Sequence, residues 1–139
     1  MISVLDASVA FKWVVQEPGS NSADRLRVEA LQGLRDFVAP DCFATEIAHA
    51  LTRAERRGFV KHADSLWIDV MRTAPRLFPT LSLIPRALEI ASHHRIGVYD
   101  CIYVALAERE GCELITADER LVRNLGTAFP FVVALDFLP

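Results

Sequence analysis

Short β-prone runs alternate along this chain with stretches whose apolar residues recur every three or four positions. Ile2 to Leu5 is the first such run, ending at Asp6, and Ser8 stands as the N-cap of an apolar segment built from Val9, Ala10, Phe11, Trp13 and Val14. Glu17 to Asn21 punctuates the chain, after which Ala23, Leu26, Ala30, Leu31 and Leu34 fall at helical spacing. Phe37 to Ala39 predicts a second strand. Pro40 and Asp41 then open a helix whose stripe is Phe43, Ile47, Ala50, Leu51 and Ala54. His62 to Thr73 predicts an amphipathic helix paired with it as a hairpin. Leu81 to Ile84, bracketed by Pro79 and Pro85, is read as an edge strand or an extended segment, and Ala87 to His94 as a short helix. Asp100 takes the N-cap position of a helix over Cys101 to Glu110, closed by Gly111. Leu114 to Thr116 is β-prone, Asp118 leads into another helical start at Glu119, and Phe131 to Leu135 is the last β-prone run. Helices and strands alternate throughout, which predicts one α/β domain over residues 1–139, a three-layer sandwich with a central, mostly parallel sheet.

Composition narrows the setting. At 139 residues the chain can bury about two-thirds of its unfolded surface in one core. It is 52% hydrophobic, with a mean hydropathy of +0.24, yet its apolar runs fall far short of the ~20 residues of a bilayer span. The N-terminal MISVLDASVAFKWV lacks the basic lead-in of a signal peptide, so a cytoplasmic location without membrane attachment is expected. Cys42, Cys101 and Cys112 form no CxxC pair and are read as buried free thiols. A net charge of −3 is a poor match for nucleic acid as a partner, but of the 15 basic residues only Lys12 and Lys61 are lysine. The rest are arginine, the side chain suited to bidentate phosphate contact. Arg53, Arg56, Arg57 and Lys61 cluster around Gly58, either as a solvated helix face or as a local positive patch.

Four acids carry the candidate chemistry. Asp6, Asp100 and Asp118 stand at element junctions, and Glu46 lies beside the apolar stripe of its helix, aimed at the edge of the core. With parallel strands and right-handed crossovers, the junctions after the first and the late strand share one rim of the sheet, where open α/β folds collect ligands. Carboxylates gathered there repel one another unless a cation neutralises them. Oxygen-only ligation selects Mg²⁺ or Mn²⁺ over zinc, and such ions support in-line displacement at phosphorus. Each acid also has a plainer reading. Asp100 and Asp118 serve equally well as helix caps, and Glu46 alone is undecided between a site and a solvated flank. His93 and His94 lack metal-ligand spacing and are read as surface. Tyr99 and Tyr103 are read as core or rim aromatics, and Trp13 and Trp67 as packing.

VLDAS at the start, ATEIAHAL in the middle, then YDCIYVALAE and LITAD resemble, in that order, the PIN domain, and specifically the VapC-type toxins of bacterial toxin–antitoxin pairs. The resemblance spans essentially the whole chain. It implies a PIN-like fold and a metal-dependent ribonuclease using Mg²⁺ or Mn²⁺, with Asp6, Glu46, Asp100 and Asp118 matching the family's acids and Asp6, Asp100 and Asp118 as metal ligands. Ser8 and Thr116 match the small hydroxyl residues flanking that site and are, with Arg53 and Arg57, the candidates for contact with an RNA substrate. It further implies a cognate antitoxin that enters the groove, and a homodimer.

Two other phosphate-handling folds are disfavoured. A phospho-receiver domain needs an acid pair after its first strand and a lysine after its last, whereas this chain has a lone Asp6 and no lysine beyond Lys61. A haloacid-dehalogenase-like phosphatase needs an acid where Ser8 stands. The remaining alternative is an interaction module with this fold that binds RNA or protein without turnover.

Overall fold

The computed structural model describes residues 1–138. In chain order the elements are β1 (Ile2–Leu5), α1 (Ala7–Phe11), α2 (Ser20–Leu31), β2 (Asp36–Pro40), α3 (Cys42–Arg56), α4 (Ala63–Met71), β3 (Arg76–Phe78), α5 (Ile84–His94), α6 (Val98–Glu110), β4 (Glu113–Thr116), α7 (Glu119–Leu125) and β5 (Val132–Ala134). The five strands make one sheet in the order β3-β2-β1-β4-β5. Every pairing is parallel. The chain builds outward from β1 through β2 to β3, then returns to the other side of β1 to lay down β4 and β5. The order therefore reverses between β1 and β4, and their carboxyl ends flank the crevice such a reversal leaves.

Burial explains the strand sequences. Val4, Leu5, Val38, Ala39, Leu114 and Ile115 are buried in succession rather than alternately, as parallel strands covered by helices on both faces require. Helix α6 follows the same logic, since every residue from Cys101 to Ala107 is buried. A helix apolar on all sides belongs inside. It packs on β1, β2 and β4 and is covered in turn by α5. The indoles close polar accounts as they pack: Trp13 Nε1 donates to the Ala23 carbonyl at 2.9 Å, and Trp67 Nε1 to the Ala44 carbonyl at 3.0 Å.

The departures from the sequence reading are local. Leu81–Leu83 is a 3₁₀ turn, not a strand. Pro85 sits in the first turn of α5 and starts that helix at Ile84, while the Asp41 carboxylate accepts from the Thr80 backbone N–H at 3.2 Å and from its hydroxyl. The edge strand is Arg76–Phe78, largely exposed and so without a hydrophobic signature. Pro40 ends β2 rather than opening α3. Ser8 lies inside α1, and Asp6 holds the N-cap position without a side-chain cap bond. Asp100 likewise is not a cap: α6 starts at Val98, with Gly97 as its N-cap, which leaves Asp100 in the first turn. Of the thiols only Cys101 is fully buried, whereas the two tyrosines take the two places expected of them, Tyr99 at the rim and Tyr103 in the core.

Leu106, fully buried at the centre of α6, tests this packing. Leu106→Ala is expected to cost about 3 kcal/mol, read as a lowered urea midpoint with an unchanged slope.

Candidate active site

The ladder between β1 and β4 sets Leu5 against Ile115, so the residues just beyond, Asp6 and Thr116, are neighbours although 110 positions apart. Asp6 N–H extends the ladder by donating to the Ile115 carbonyl at 3.0 Å. The Thr116 hydroxyl donates to Asp6 Oδ2 at 2.7 Å, and Ser8 Oγ donates to the same oxygen at 2.8 Å. Backbone amides hold these hydroxyls in turn: Ala117 N–H donates to Ser8 Oγ and Asp118 N–H to Thr116 Oγ1, each at 3.0 Å. Asp6 is thus fixed through Oδ2, leaving Oδ1 free. Asp118 is fixed by its own helix, accepting at Oδ1 from the Arg120 and Leu121 amides at 3.0 and 3.2 Å. This is the cap expected from the sequence, and its Oδ2 stays available.

Glu46 comes from the flank of α3 and Asp100 from the first turn of α6. Asp6, Ser8, Glu46, Asp100 and Asp118 line one open cleft of about 360 Å³. Glu46 Oε1 and the hydroxyl of Tyr103, which is 1% exposed, are buried without a hydrogen-bond partner among the described residues. An unpaired buried carboxylate oxygen is costly unless something outside the chain completes it.

The electrostatics point the same way. Burial raises the Asp6 carboxyl above its ordinary value, against the lowering from Thr116 and Ser8, and Asp118 raises it further. Burial, then the charges of Asp6 and Asp100, push Glu46 up to about 7. Burial and the charges of Asp6 and Asp118 raise Asp100 to about 6, with Arg120 opposing. A bound cation would reverse these shifts. Among the described residues no three acidic, imidazole or thiol side chains close into a finished cage. What exists is an open, oxygen-only cleft with free carboxylate oxygens. That donor set fits Mg²⁺ or Mn²⁺, since Mg²⁺ keeps several waters and takes few protein carboxylates.

The arginines expected to contact substrate lie to one side. Arg53 and Arg57 line an adjoining cavity of about 650 Å³ with Phe11, Val14, Phe59 and Val60. Phe11, Glu17 and Ala50 are walls of both cavities, so the two are continuous. Arg56 and Lys61 are exposed outside it. Three contributors escaped the sequence reading. Lys12 lines the carboxylate cleft but is ion-paired to Glu17 at 2.9 Å. Arg120 flanks Asp100 and Asp118, and its one signal was a position two residues past a capping acid. Tyr103, a core or rim aromatic by sequence, is buried beside Glu46.

The sequence matches the PIN domain family over residues 3–125. It is 31% identical over 136 residues to Ribonuclease VapC3 of Pyrobaculum aerophilum, covering 94% of this chain and 96% of that protein. It is 34% identical over 126 residues to Ribonuclease VapC12 of Mycobacterium tuberculosis, covering 88% and 92%. The fold superposes on a crystal structure from Pyrobaculum aerophilum with a TM-score of 0.71 at 18% identity, over 98% of this chain and 93% of that one. It also superposes on VapBC2 from Rickettsia felis, solved bound to a promoter DNA fragment, with a TM-score of 0.65 at 13% identity, over 96% and 97%. The chain belongs to the PIN-domain family. Among the described residues, no helix is long and apolar enough to cross a membrane.

The raised carboxyls predict an inverted acid–base stability profile. Glu46 has its folded value, about 7, above its ordinary 4.5, so its favourable contribution is complete below the ordinary value and lost as pH rises through about 7. In EDTA the melting temperature should therefore fall from pH 5 to pH 8, and Glu46→Gln should flatten that fall. A wild-type protein that grows more stable over the same range would show that the cluster carries no such repulsion.

Proposed function

We propose that this protein is a metal-dependent endoribonuclease, the toxin component of a type II toxin–antitoxin pair. Support comes from the named ribonucleases to which it is similar over most of its length. The observation that carries the mechanism is the cleft that Asp6, Glu46, Asp100 and Asp118 share, with Glu46 Oε1 left unpaired. Asp6, Asp100 and Asp118 would hold Mg²⁺ or Mn²⁺, which supplies an activated water and neutralises charge on the phosphate in flight. Glu46, raised by burial and its acidic neighbours while no cation is bound, would be lowered again by the ion and serve as the base that orients and deprotonates the attacking water. Ser8 and Thr116 orient Asp6 through hydrogen bonds and face the strand only through it or beside it. Asp118 couples its carboxylate to the start of α7. Arg53 and Arg57 offer the flanking phosphates positive charge, without which the acidic cleft would repel RNA.

An antitoxin partner is part of the reading, supported by likeness to the VapC ribonucleases and to the fold of VapBC2 from Rickettsia felis. The cavity of Phe11, Val14, Phe59 and Val60 beside the cleft gives an apolar segment of such a partner a seat, and Phe59 is 72% exposed there. A homodimer is part of the proposal, as is a cytoplasmic location. The alternative of an inert binding module has no observation in its favour, since all four acids are present and gathered.

Purified protein is expected to cleave single-stranded or loop RNA with Mg²⁺ or Mn²⁺ and to stop on adding EDTA. Asp6→Asn and Asp100→Asn should abolish cleavage while the apo protein stays folded, because each removes repulsion. Glu46→Gln should lower the rate by about a hundredfold or more. Asp118→Asn should be milder, since an amide still caps the helix and offers one oxygen. Cleavage that persists at full rate in EDTA would remove the metal from the mechanism.

The basic bank has its own measurement. Arg53→Ala with Arg57→Ala should weaken RNA binding and flatten its salt dependence by about 0.7 per lost phosphate contact on a log–log plot. An unchanged slope would make these two a solvated helix face.

A further inference from the structure

The carboxylate cleft has a second neighbour. Asp100 and Asp118 also wall a cavity of about 260 Å³ that is completed by Arg95, Gly97, Arg120 and Asn124. The cavity of Arg53 and Arg57 joins the cleft at other walls, Phe11, Glu17 and Ala50, so the three form one trough, acidic in the middle and basic at both ends. Among the described residues five of the chain's 15 cations, Lys12, Arg27, Arg35, Arg86 and Arg109, sit in ion pairs. Among the described residues, neither Arg95 nor Arg120 has an ion-pair partner in spite of the acids nearby.

Arg95 is also in an uncommon conformation. It closes α5 with φ of +55°, in the left-handed region that favours glycine, and His62 is the one other non-glycine residue there among those described. A bulky side chain kept where glycine would be easier is a reason to look for a use of that side chain. Here the side chain belongs to the wall of a cavity that opens on two carboxylates.

We infer that Arg95, Arg120 and Asn124 form a nucleotide subsite that takes the phosphate adjoining the cleaved bond, on the Asp100 and Asp118 side of the cleft. The inference rests on the ribonuclease reading and deepens it. Guanidinium groups grip the two non-bridging oxygens of a phosphodiester in a fork. The Asn124 amide supplies both donor and acceptor to a sugar or base edge. The strand then spans the acids with one phosphate held on each bank, so the bond between is positioned over the carboxylates. Arg95 and Arg120 are positioning residues in this scheme, and their removal should affect binding more than turnover.

The test uses Arg95→Gly and Arg120→Ala. Glycine suits the backbone at position 95, and alanine at 120 keeps the backbone amide that donates to the capping Asp118 carboxylate. Both variants should melt no lower than the parent. In an Asp6→Asn background, anisotropy of a short fluorescein-labelled single-stranded RNA across a salt series should show each variant binding about tenfold more weakly. The log–log salt slope should flatten by about 0.7 per residue, and Arg120→Lys should restore the slope. In the active protein the same changes should raise KM more than they lower kcat. If both variants bind with parental affinity and slope while the Arg53 and Arg57 variant does not, the subsite is overturned and the ribonuclease reading stands. If wild-type protein neither cleaves nor binds RNA in Mg²⁺ or Mn²⁺, that reading fails and the subsite with it.

Discussion

The pairing of Leu5 with Ile115 is the constraint from which the site follows. It joins the first strand to one laid down more than a hundred residues later, and so places Asp6 against Thr116 at the crevice where the strand order reverses. An aspartate that is 7% exposed at the end of a strand buried from Ser3 to Leu5 would be an expensive residue by itself. The Thr116 and Ser8 hydroxyls offset part of that cost by holding one oxygen, and the Ala117 and Asp118 amides hold the hydroxyls. One hydrogen-bonded chain therefore links the ends of β1 and β4 to the start of α7. Slipping the ladder by a single residue would turn every one of these groups away.

Like charges gathered in this way oppose folding, and the rest of the molecule must outweigh them. The means is the wholly buried α6 on a sheet whose central strands are buried on both faces. The same helix carries Asp100 in its first turn and Tyr103 one turn later, so the element that contributes most burial also delivers an acid to the cleft. Stability and repulsion come from one segment. The cleft can afford charged groups held close together because their supports are rigid, which is the arrangement that favours a cation over a loose acidic surface.

Much of this was legible in the sequence because the signals were local. Strands β1, β2, β4 and β5 announce themselves as short β-prone runs, and Asp6 and Asp118 stand at strand ends where chemistry collects in such sheets. Glu46 could be placed beside a stripe by periodicity alone, but its burial and unpaired Oε1 depend on α1 and α6, which no local pattern describes. Strand β3 stayed hidden since an exposed three-residue edge has little hydrophobic signature. Asp100 reads as a cap because aspartate is common there, whereas α6 starts three residues upstream of Cys101, at Val98, with Gly97 as its N-cap. Arg95 has no sequence signal and Arg120 only its place two residues past Asp118, since their significance lies in what they stand beside.

The displaced start of α6 matters beyond its own boundary. Had Asp100 been the cap, its carboxylate would have been engaged by the amides of the first turn, as that of Asp118 is. With Gly97 capping by backbone alone, Asp100 has no backbone partner to satisfy and keeps both oxygens for the cleft. The turn that achieves this is Arg95, Ile96 and Gly97, beginning with the left-handed residue that ends α5. That short turn sets where α6 begins and hence how far Asp100 projects toward Asp6 and Asp118. It also places the Arg95 side chain in the wall of the next cavity. A single backbone reversal thus fixes the acidic centre and one basic bank relative to each other, so a strand that engages one is already aligned with the other.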